Sequence, residues 1–254
     1  MRNKKVGLIS LGCAKNRVVS EQILKKLFDA GFEIVSNQLD AEIIIINTCA
    51  FIEEAQEEAI NTILETNELR TEGKLKKLIV TGCLAELFKE EVRKELPEAD
   101  AILGAHSWQD ILKAIEECEE GRSPEYFDPS PKTPPEEERL ISTGAHWAYL
   151  LIADGCDNGC TYCVIPKIRG KFKSRPMKKI LREAEKLADM GYNELILVAQ
   201  DLSHYGFDLY GKNSLAALLK ELCKIEKLKW IRLHYIYPNE INEELIETIA
   251  NEPK

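Results

Sequence analysis

Three times in its first third this chain runs from a short apolar stretch directly into a cysteine: Leu8-Ile-Ser-Leu-Gly-Cys13, Ile45-Ile-Asn-Thr-Cys49 and Leu78-Ile-Val-Thr-Gly-Cys83. The separations of 36 and 34 residues are each about one strand–helix unit. Apolar, β-branched runs predict strands over 6–10, 43–47 and 78–81, and amphipathic spacing predicts helices over 20–30, 53–69 and 84–96. This alternation is the rhythm of a parallel α/β sheet. Ile43-Ile-Ile-Ile46 is apolar throughout, as a central strand buried on both faces should be. If the strands are parallel, Cys13, Cys49 and Cys83 all leave the same sheet edge. That carboxyl edge is where ligands gather in open α/β sheets, and a helix start there favours a thiolate.

Five of the ten prolines fall between Pro124 and Pro135, which makes 121–139 a linker between a domain at 1–120 and a second at 140–254. Beyond it the pattern predicts strands over 148–153, 194–199 and 229–235. Helices are predicted over 176–190, over 215–226, and from residue 241 onward. Three such units read as the first part of a partial (β/α) barrel, because a closed eightfold barrel takes about 250 residues. The expected fold is therefore α/β: an N-terminal parallel-sheet domain followed by the first βα units of an incomplete barrel. On this reading the chain is C-terminally truncated and the 229–235 strand is an uncovered edge.

No apolar run approaches the roughly 20 residues a membrane helix needs, so a soluble cytoplasmic protein without a membrane partner is expected. Eight cysteines in such a compartment favour metal ligation or catalysis over disulfides. Residues 1–140 carry 18 Lys and Arg against 28 Asp and Glu, whereas 141–254 carry 16 against 15. The net charge of −9 is thus N-terminal, and whole-protein attraction to nucleic acid is not indicated.

The second domain supplies a tighter cysteine set. Cys156, Cys160 and Cys163 lie in Asp154-Gly-Cys-Asp-Asn-Gly-Cys-Thr-Tyr-Cys163, immediately after Tyr149-Leu-Leu-Ile-Ala153. Three thiolates on one loop can hold three irons of a four-iron cluster and leave the fourth without a protein ligand. An open metal position is where chemistry takes place. Zinc competes for such a loop, but His146 and His204 have no zinc-finger spacing to it. A four-cysteine electron carrier would need a fourth cysteine nearby; Cys118 and Cys223 read as structural. Gln200 and Asp201 close the second barrel strand, a position that is either active-site or helix-capping. Between Asn158 and Arg182 stand eight basic residues and no acidic one: Lys167, Arg169, Lys171, Lys173, Arg175, Lys178, Lys179 and Arg182. They read either as a solvated face or as contacts to an acidic or other anionic partner. His106, His146, His204 and His234 show no partner pattern.

Cys-x3-Cys-x2-Cys with Tyr162 before the third cysteine resembles the radical S-adenosylmethionine (SAM) superfamily. The pairing with Leu11-Gly-Cys-Ala-Lys-Asn16, Asn47-Thr-Cys-Ala-Phe-Ile-Glu-Glu-Ala55 and Thr81-Gly-Cys-Leu-Ala-Glu86 is similar to its methylthiotransferases. Four further runs look like the RimO type: Cys163-Val-Ile-Pro-Lys-Ile-Arg-Gly170, Ser174-Arg-Pro-Met177, Leu197-Val-Ala-Gln-Asp201 and Tyr205-Gly-Phe-Asp-Leu-Tyr210. That resemblance implies two [4Fe-4S] clusters and SAM. One cluster, on Cys156, Cys160 and Cys163, would cleave SAM to a radical that takes hydrogen from an aspartate β-carbon; the other, on Cys13, Cys49 and Cys83, would deliver sulfur. It further implies that Tyr162, Gln200 and Asp201 lie at the SAM cofactor. The substrate would be small-subunit ribosomal protein twelve, and the electron donor a flavodoxin or ferredoxin. The tRNA-adenosine branch of the same family and a non-catalytic zinc module remain alternatives. A chain ending at Lys254 is expected to bind both clusters and turn over poorly.

Overall fold

Ile43, Ile44, Ile45 and Ile46 are all buried, so the strand they open is covered on both faces. In this computed structural model, which describes residues 3–71, 73–128 and 138–254, that strand is β3 (Ile43–Thr48). Around it run β1 (Lys5–Ser10), α1 (Ala14–Asp29), β2 (Glu33–Ile34), α2 (Glu53–Glu68), β4 (Lys77–Gly82) and α3 (Cys83–Glu95). The series closes with β5 (Ala101–Gly104), α4 (Ile111–Glu119) and β6 (Glu125–Tyr126). All six strands are parallel, in the order β2-β1-β3-β4-β5-β6.

The two faces of the sheet are served by different helices. Ile23 and Leu27 of α1 and Ile111 and Ile115 of α4 pack with Ile43, Ile45 and Ile79. Ala59 and Ile63 of α2 and Leu84 and Val92 of α3 pack with Ile44, Ile46, Leu78 and Val80. Alternate side chains of β3 thus enter opposite layers, each fully buried isoleucine contributing roughly 1.5–3 kcal/mol. The chain winds from β1 outward to β2, then back past β1 to β3. This reversal opens a crevice at the carboxyl ends of β1 and β3.

The described residues form two compact units: 3–128 with 138–140 and 161–169, and 141–160 with 170–254. The second contains β7 (Trp147–Leu151), β8 (Ala153–Asp154), β9 (Lys173–Ser174), α6 (Met177–Asp189), β10 (Glu194–Val198), α7 (Phe207–Tyr210), α8 (Leu215–Cys223), β11 (Trp230–Leu233) and α9 (Glu243–Asn251). The parallel sheet β11-β10-β7 packs Leu150, Leu195 and Leu197 against Ile180 and Leu187 of α6 and Leu218 and Leu222 of α8. The intervening helix α5 (Ile165–Arg169) belongs to the first unit, with Ile168 in the cluster that holds Leu84 and Val92.

Several expectations change. Helix α1 starts at Ala14 rather than residue 20, because its first turn buries Lys15 and Asn16, polar residues invisible to an apolar-periodicity reading. Strand β5 and helix α4 were not expected; they are short, and burial in the sheet compensates for weak local signals. The β11 edge is not bare, since the Ile231 N–H donates to the Lys254 backbone oxygen at 2.9 Å. Residues 129–137, the middle of the expected linker, lie outside the described residues. Among the described residues no helix is long and apolar enough to cross a membrane.

Just after that stretch, Arg139 Nη1 lies 2.6 Å from Glu21 Oε2 with both side chains buried, and the Leu140 N–H donates to the Glu21 carbonyl at 3.1 Å. Glu21→Ala removes the carboxylate paired with a buried guanidinium and should cost about 3–5 kcal/mol in urea unfolding. Adding Arg139→Met should recover part of that loss; a single-variant cost below about 1 kcal/mol would show the ion pair to be dispensable.

Candidate metal centres

The register of the first sheet sets the three strand ends level. Asn47 pairs with Ser10 on one side and Thr81 on the other, so the backbone leaves β1, β3 and β4 at one height, and a cysteine follows within three residues each time. Cys13 is the N-cap of α1, in extended conformation and exposed; Cys83 is the first residue of α3. Both thiols therefore sit at helix starts, where the unpaired N–H groups and the dipole favour negative charge.

Glycine makes the approach possible at two points. At Gly12, φ is +83°, and a Cβ would meet Cys49 Cβ at 2.6 Å and its Sγ at 2.8 Å. The turn before Cys13 is therefore pressed against the Cys49 side chain. At Gly82, φ is +101°, and a Cβ would lie 2.6 Å from the Thr48 carbonyl oxygen. No other residue allows β4 to turn into α3 this close to the end of β3.

A buried polar network ties these turns together. The Asn16 side-chain amide donates to Leu11 O at 3.0 Å and Thr48 O at 2.8 Å, so one residue bridges the loops carrying Cys13 and Cys49. Asn47 Nδ2 donates to Asn16 O and Ser20 Oγ, both at 3.0 Å. Thr48 Oγ1 donates to Thr81 O at 2.6 Å and accepts the Leu84 N–H at 3.2 Å, fixing the Cys83 turn against β3. Arg169 Nη2 donates to Asn16 Oδ1 at 2.7 Å and lies 3.3 Å from Cys83 Sγ.

Burial pushes the Cys49 thiol up; bonds from the Phe51 and Ala50 N–H groups pull it down, and the Cys83 and Cys13 charges raise it further. Cys49 therefore senses both other thiols, although no three His, Cys, Asp or Glu side chains among the described residues close on a single ion. A multi-iron cluster puts each thiolate on a separate iron, so its ligands stand farther apart than those of one ion. Three soft donors at one rim, with N–H groups directed at a sulfur, are the donor set such a cluster takes.

In the second set, Cys156, Cys160 and Cys163 are all partly exposed. Gly155 has φ +78° and no room for a Cβ, which would run into the Lys171 and Gly170 carbonyl oxygens. The Cys156 N–H donates to Gly170 O at 3.2 Å, and Asp157 Oδ1 accepts the Phe172 N–H at 3.2 Å. Asn158 Nδ2 donates to Asp201 Oδ2 at 2.9 Å. The start of the loop is thus held by residues 170–172 and 201. Cys156 and Cys160 fall in the second unit, and Cys163 in the 161–169 segment of the first.

Other expected residues separate by environment. Tyr162 is 83% exposed. Asp201 is buried and bonds locally: beyond Asn158 it accepts the Ser203 N–H at 3.0 Å and the Ser203 hydroxyl, in a turn that caps no helix. Gln200 is half-buried just past β10. Of the eight basic residues, Arg169 and Arg175 are buried and the other six are not. Arg175 Nη1 donates to Leu151 O at 2.6 Å and Nη2 pairs with Glu183 at 2.7 Å. His204 stacks edge-on with Phe172, a packing role. Ser174–Met177 and Tyr205–Tyr210 prove to be partners: the Gly206 N–H donates to Ser174 Oγ, the Ser174 N–H to Asp208, Tyr205 Oη to Arg175 O, and the Met177 N–H to Tyr210 Oη. Asn16 and Arg169 are the residues whose place at the first cysteine set sequence reasoning missed. Their signal was faint: a polar residue in the first turn after a cysteine, and an arginine beside an apolar isoleucine in a five-residue helix.

Comparison with known proteins gives two family matches. Residues 5–104 match the family described as Uncharacterized protein family UPF0004, and residues 150–253 match the Radical SAM superfamily. The chain is 48% identical over 251 residues to the "Ribosomal protein uS12 methylthiotransferase RimO" of Lachnoclostridium phytofermentans, covering 98% of this chain and 57% of that protein. It is 50% identical to the protein of the same description from Clostridium botulinum strain Eklund 17B, over 98% of this chain and 56% of that one. Nearly its whole length is similar to radical SAM methylthiotransferases. The chain spans a little over half the length of these methylthiotransferase relatives. Among solved structures, the radical SAM methyltransferase TsrM of Kitasatospora setae aligns over 98% of this chain and 57% of that one, at 13% identity and a TM-score of 0.64. The cobalamin-dependent radical enzyme OxsB aligns over 90% of this chain and 38% of that one, at 12% identity and a TM-score of 0.52. These likenesses concern the fold.

Two outcomes test the local geometry. Gly12→Ala should destabilise the protein by about 1–3 kcal/mol in urea, from left-handed strain and the clash with Cys49; a loss below about 0.5 kcal/mol would contradict it. Burial pushes the Cys118 thiol up to about 11. At pH 8 in metal-free protein, iodoacetamide should label exposed Cys13 well before Cys118, as peptide mass mapping would read; equal rates would contradict the buried, protonated thiol.

Proposed function

We propose that this chain carries the radical-generating and sulfur-delivering parts of a methylthiotransferase that modifies the β-carbon of an aspartate of small-subunit ribosomal protein twelve. The observation that carries the reading is the presence, in one chain, of a Cys-x3-Cys-x2-Cys loop after β7 and a level triad of strand-end cysteines on a separate sheet. Each set offers three thiolates, one short of a closed four-iron site, so each would leave an iron open for an exogenous ligand. Two open irons suit two tasks. The RimO relatives, described as acting on uS12, supply the substrate class.

Residues 1–120 would form the domain for the auxiliary cluster on Cys13, Cys49 and Cys83, and 140–254 the radical SAM domain, with 121–139 joining them. Cys156, Cys160 and Cys163 would hold the second cluster, which when bound supplies the electron that cleaves SAM. The backbone around Gly155 and the Asn158–Asp201 bond would hold that loop in a set conformation before the cofactor arrives. Asp201 already bonds Asn158 and Ser203, so its contribution would be to position the loop. Tyr162 has a free ring face for an adenine, and Gln200 stands at the strand end where barrel enzymes bring side chains to their substrates. The exposed Lys167, Lys171, Lys178, Lys179 and Arg182 give this region a positive surface, suited to an acidic target or to ribosomal RNA beside it. A flavodoxin or ferredoxin would supply the electron, and the setting would be cytoplasmic.

Anaerobic protein reconstituted with iron and sulfide should carry about eight irons, falling to about four when either cysteine set is replaced by alanine. Zinc without sulfide would overturn the reading. Given reductant, SAM and sulfide, methylthiolation measured by mass spectrometry should fall on the ribosomal protein; modification of a tRNA adenosine instead would place the chain in the sister branch.

A further inference from the structure

Resting on the reading of Cys13, Cys49 and Cys83 as one cluster site, we propose that Arg169 is a positioning residue of that site. Its guanidinium would set the electrostatics at the Cys83 sulfur and hence the reduction equilibrium of the auxiliary cluster.

Arg169 is only 3% exposed, and its Nη2 lies 2.7 Å from Asn16 Oδ1 and 3.3 Å from Cys83 Sγ. Asn16 in turn donates through its amide nitrogen to Leu11 O and Thr48 O. One guanidinium and one carboxamide therefore touch the loops of all three cysteines: Cys13 through Leu11, Cys49 through Thr48, and Cys83 at its sulfur. Helix α5 reaches this position because Ile168 and Val164 pack in the same apolar cluster as Leu84 and Ala85, which follow Cys83 in α3. The other buried cation of the basic run, Arg175, is directed to Leu151 O and Glu183, so the feature is particular to Arg169.

The consequence is electrostatic. Reducing a thiolate-bound cluster adds negative charge, and a fixed cation at ligand distance in a desolvated setting stabilises the reduced form more than the oxidised one. A planar fork can satisfy an amide oxygen and a sulfur together, which a lysine ammonium at the end of a flexible stem does less well.

The test uses the full chain carrying Cys156→Ala, Cys160→Ala and Cys163→Ala, so that only the first set can hold iron. Reductive titration followed by electron paramagnetic resonance gives the midpoint potential. Arg169→Gln should keep about four irons and lower the reduction equilibrium about tenfold, about 59 mV for one electron. Arg169→Lys should fall between. Unchanged potential in an Arg169→Gln chain that keeps its irons overturns the role of Arg169 and leaves the cluster assignment standing. If Arg169→Gln fails to fold, the neutral Arg169→Met decides: a fall of at least threefold supports the proposal, and no shift overturns it. A background chain that binds no iron and sulfide overturns the cluster assignment itself, and the Arg169 proposal with it.

Discussion

The parallel register between β1, β3 and β4 is the constraint on which the first half of this protein depends. Asn47 opposite both Ser10 and Thr81 makes three strands end together. A slip of one residue in β3 would turn Ile43 and Ile45 into the layer now occupied by Ile44 and Ile46. It would also move the Cys49 loop away from Asn16. Register, packing and the convergence of thiols are therefore one decision, held by isoleucines in the middle of the strand and by asparagines at its end.

The same end of the sheet explains why so much polarity is buried there. Lys15, Asn16, Ser20, Asn47, Thr48 and Thr81 are all nearly inaccessible, in a region where an apolar core would be the cheaper solution. The bonds of Asn16, Asn47 and Thr48 run largely to backbone groups of the cysteine loops and of the first turn of α1. The network holds irregular backbone at fixed positions, which apolar packing, being non-directional, does poorly. In the second unit the Asp201–Asn158 bond and the contact of residues 170–172 with the start of the cysteine loop do equivalent work. Both sites are loops made rigid by side chains that belong to the scaffold.

Much of this was legible from the order of residues. β1, β3 and β4 appear within a residue or two of where apolar runs end, because strands buried on both faces leave an uninterrupted hydrophobic record. The position of the cysteines just after those runs follows from the same record. The first turn of α1 was not legible, since it buries two polar residues, Lys15 and Asn16, the latter bonded to the cysteine loops. Strand β5 escaped because Ala101-Ile-Leu-Gly104 is too short to show a period. The basic run was read either as a solvated face or as contacts to an anionic partner, yet two of its arginines are buried, which only the packing of Ile168 and Phe172 beside them decides.

By itself the sequence determined a parallel α/β architecture and two three-cysteine sets, because periodicity and covalent spacing are local properties. Tertiary structure decided what lies against them. It placed Asn16 between the Cys13 and Cys49 loops, Arg169 against the sulfur of Cys83, and Asp201 beneath the loop of Cys156. These are contacts between residues far apart in the chain, fixed by strand register and helix packing, and no local pattern encodes them.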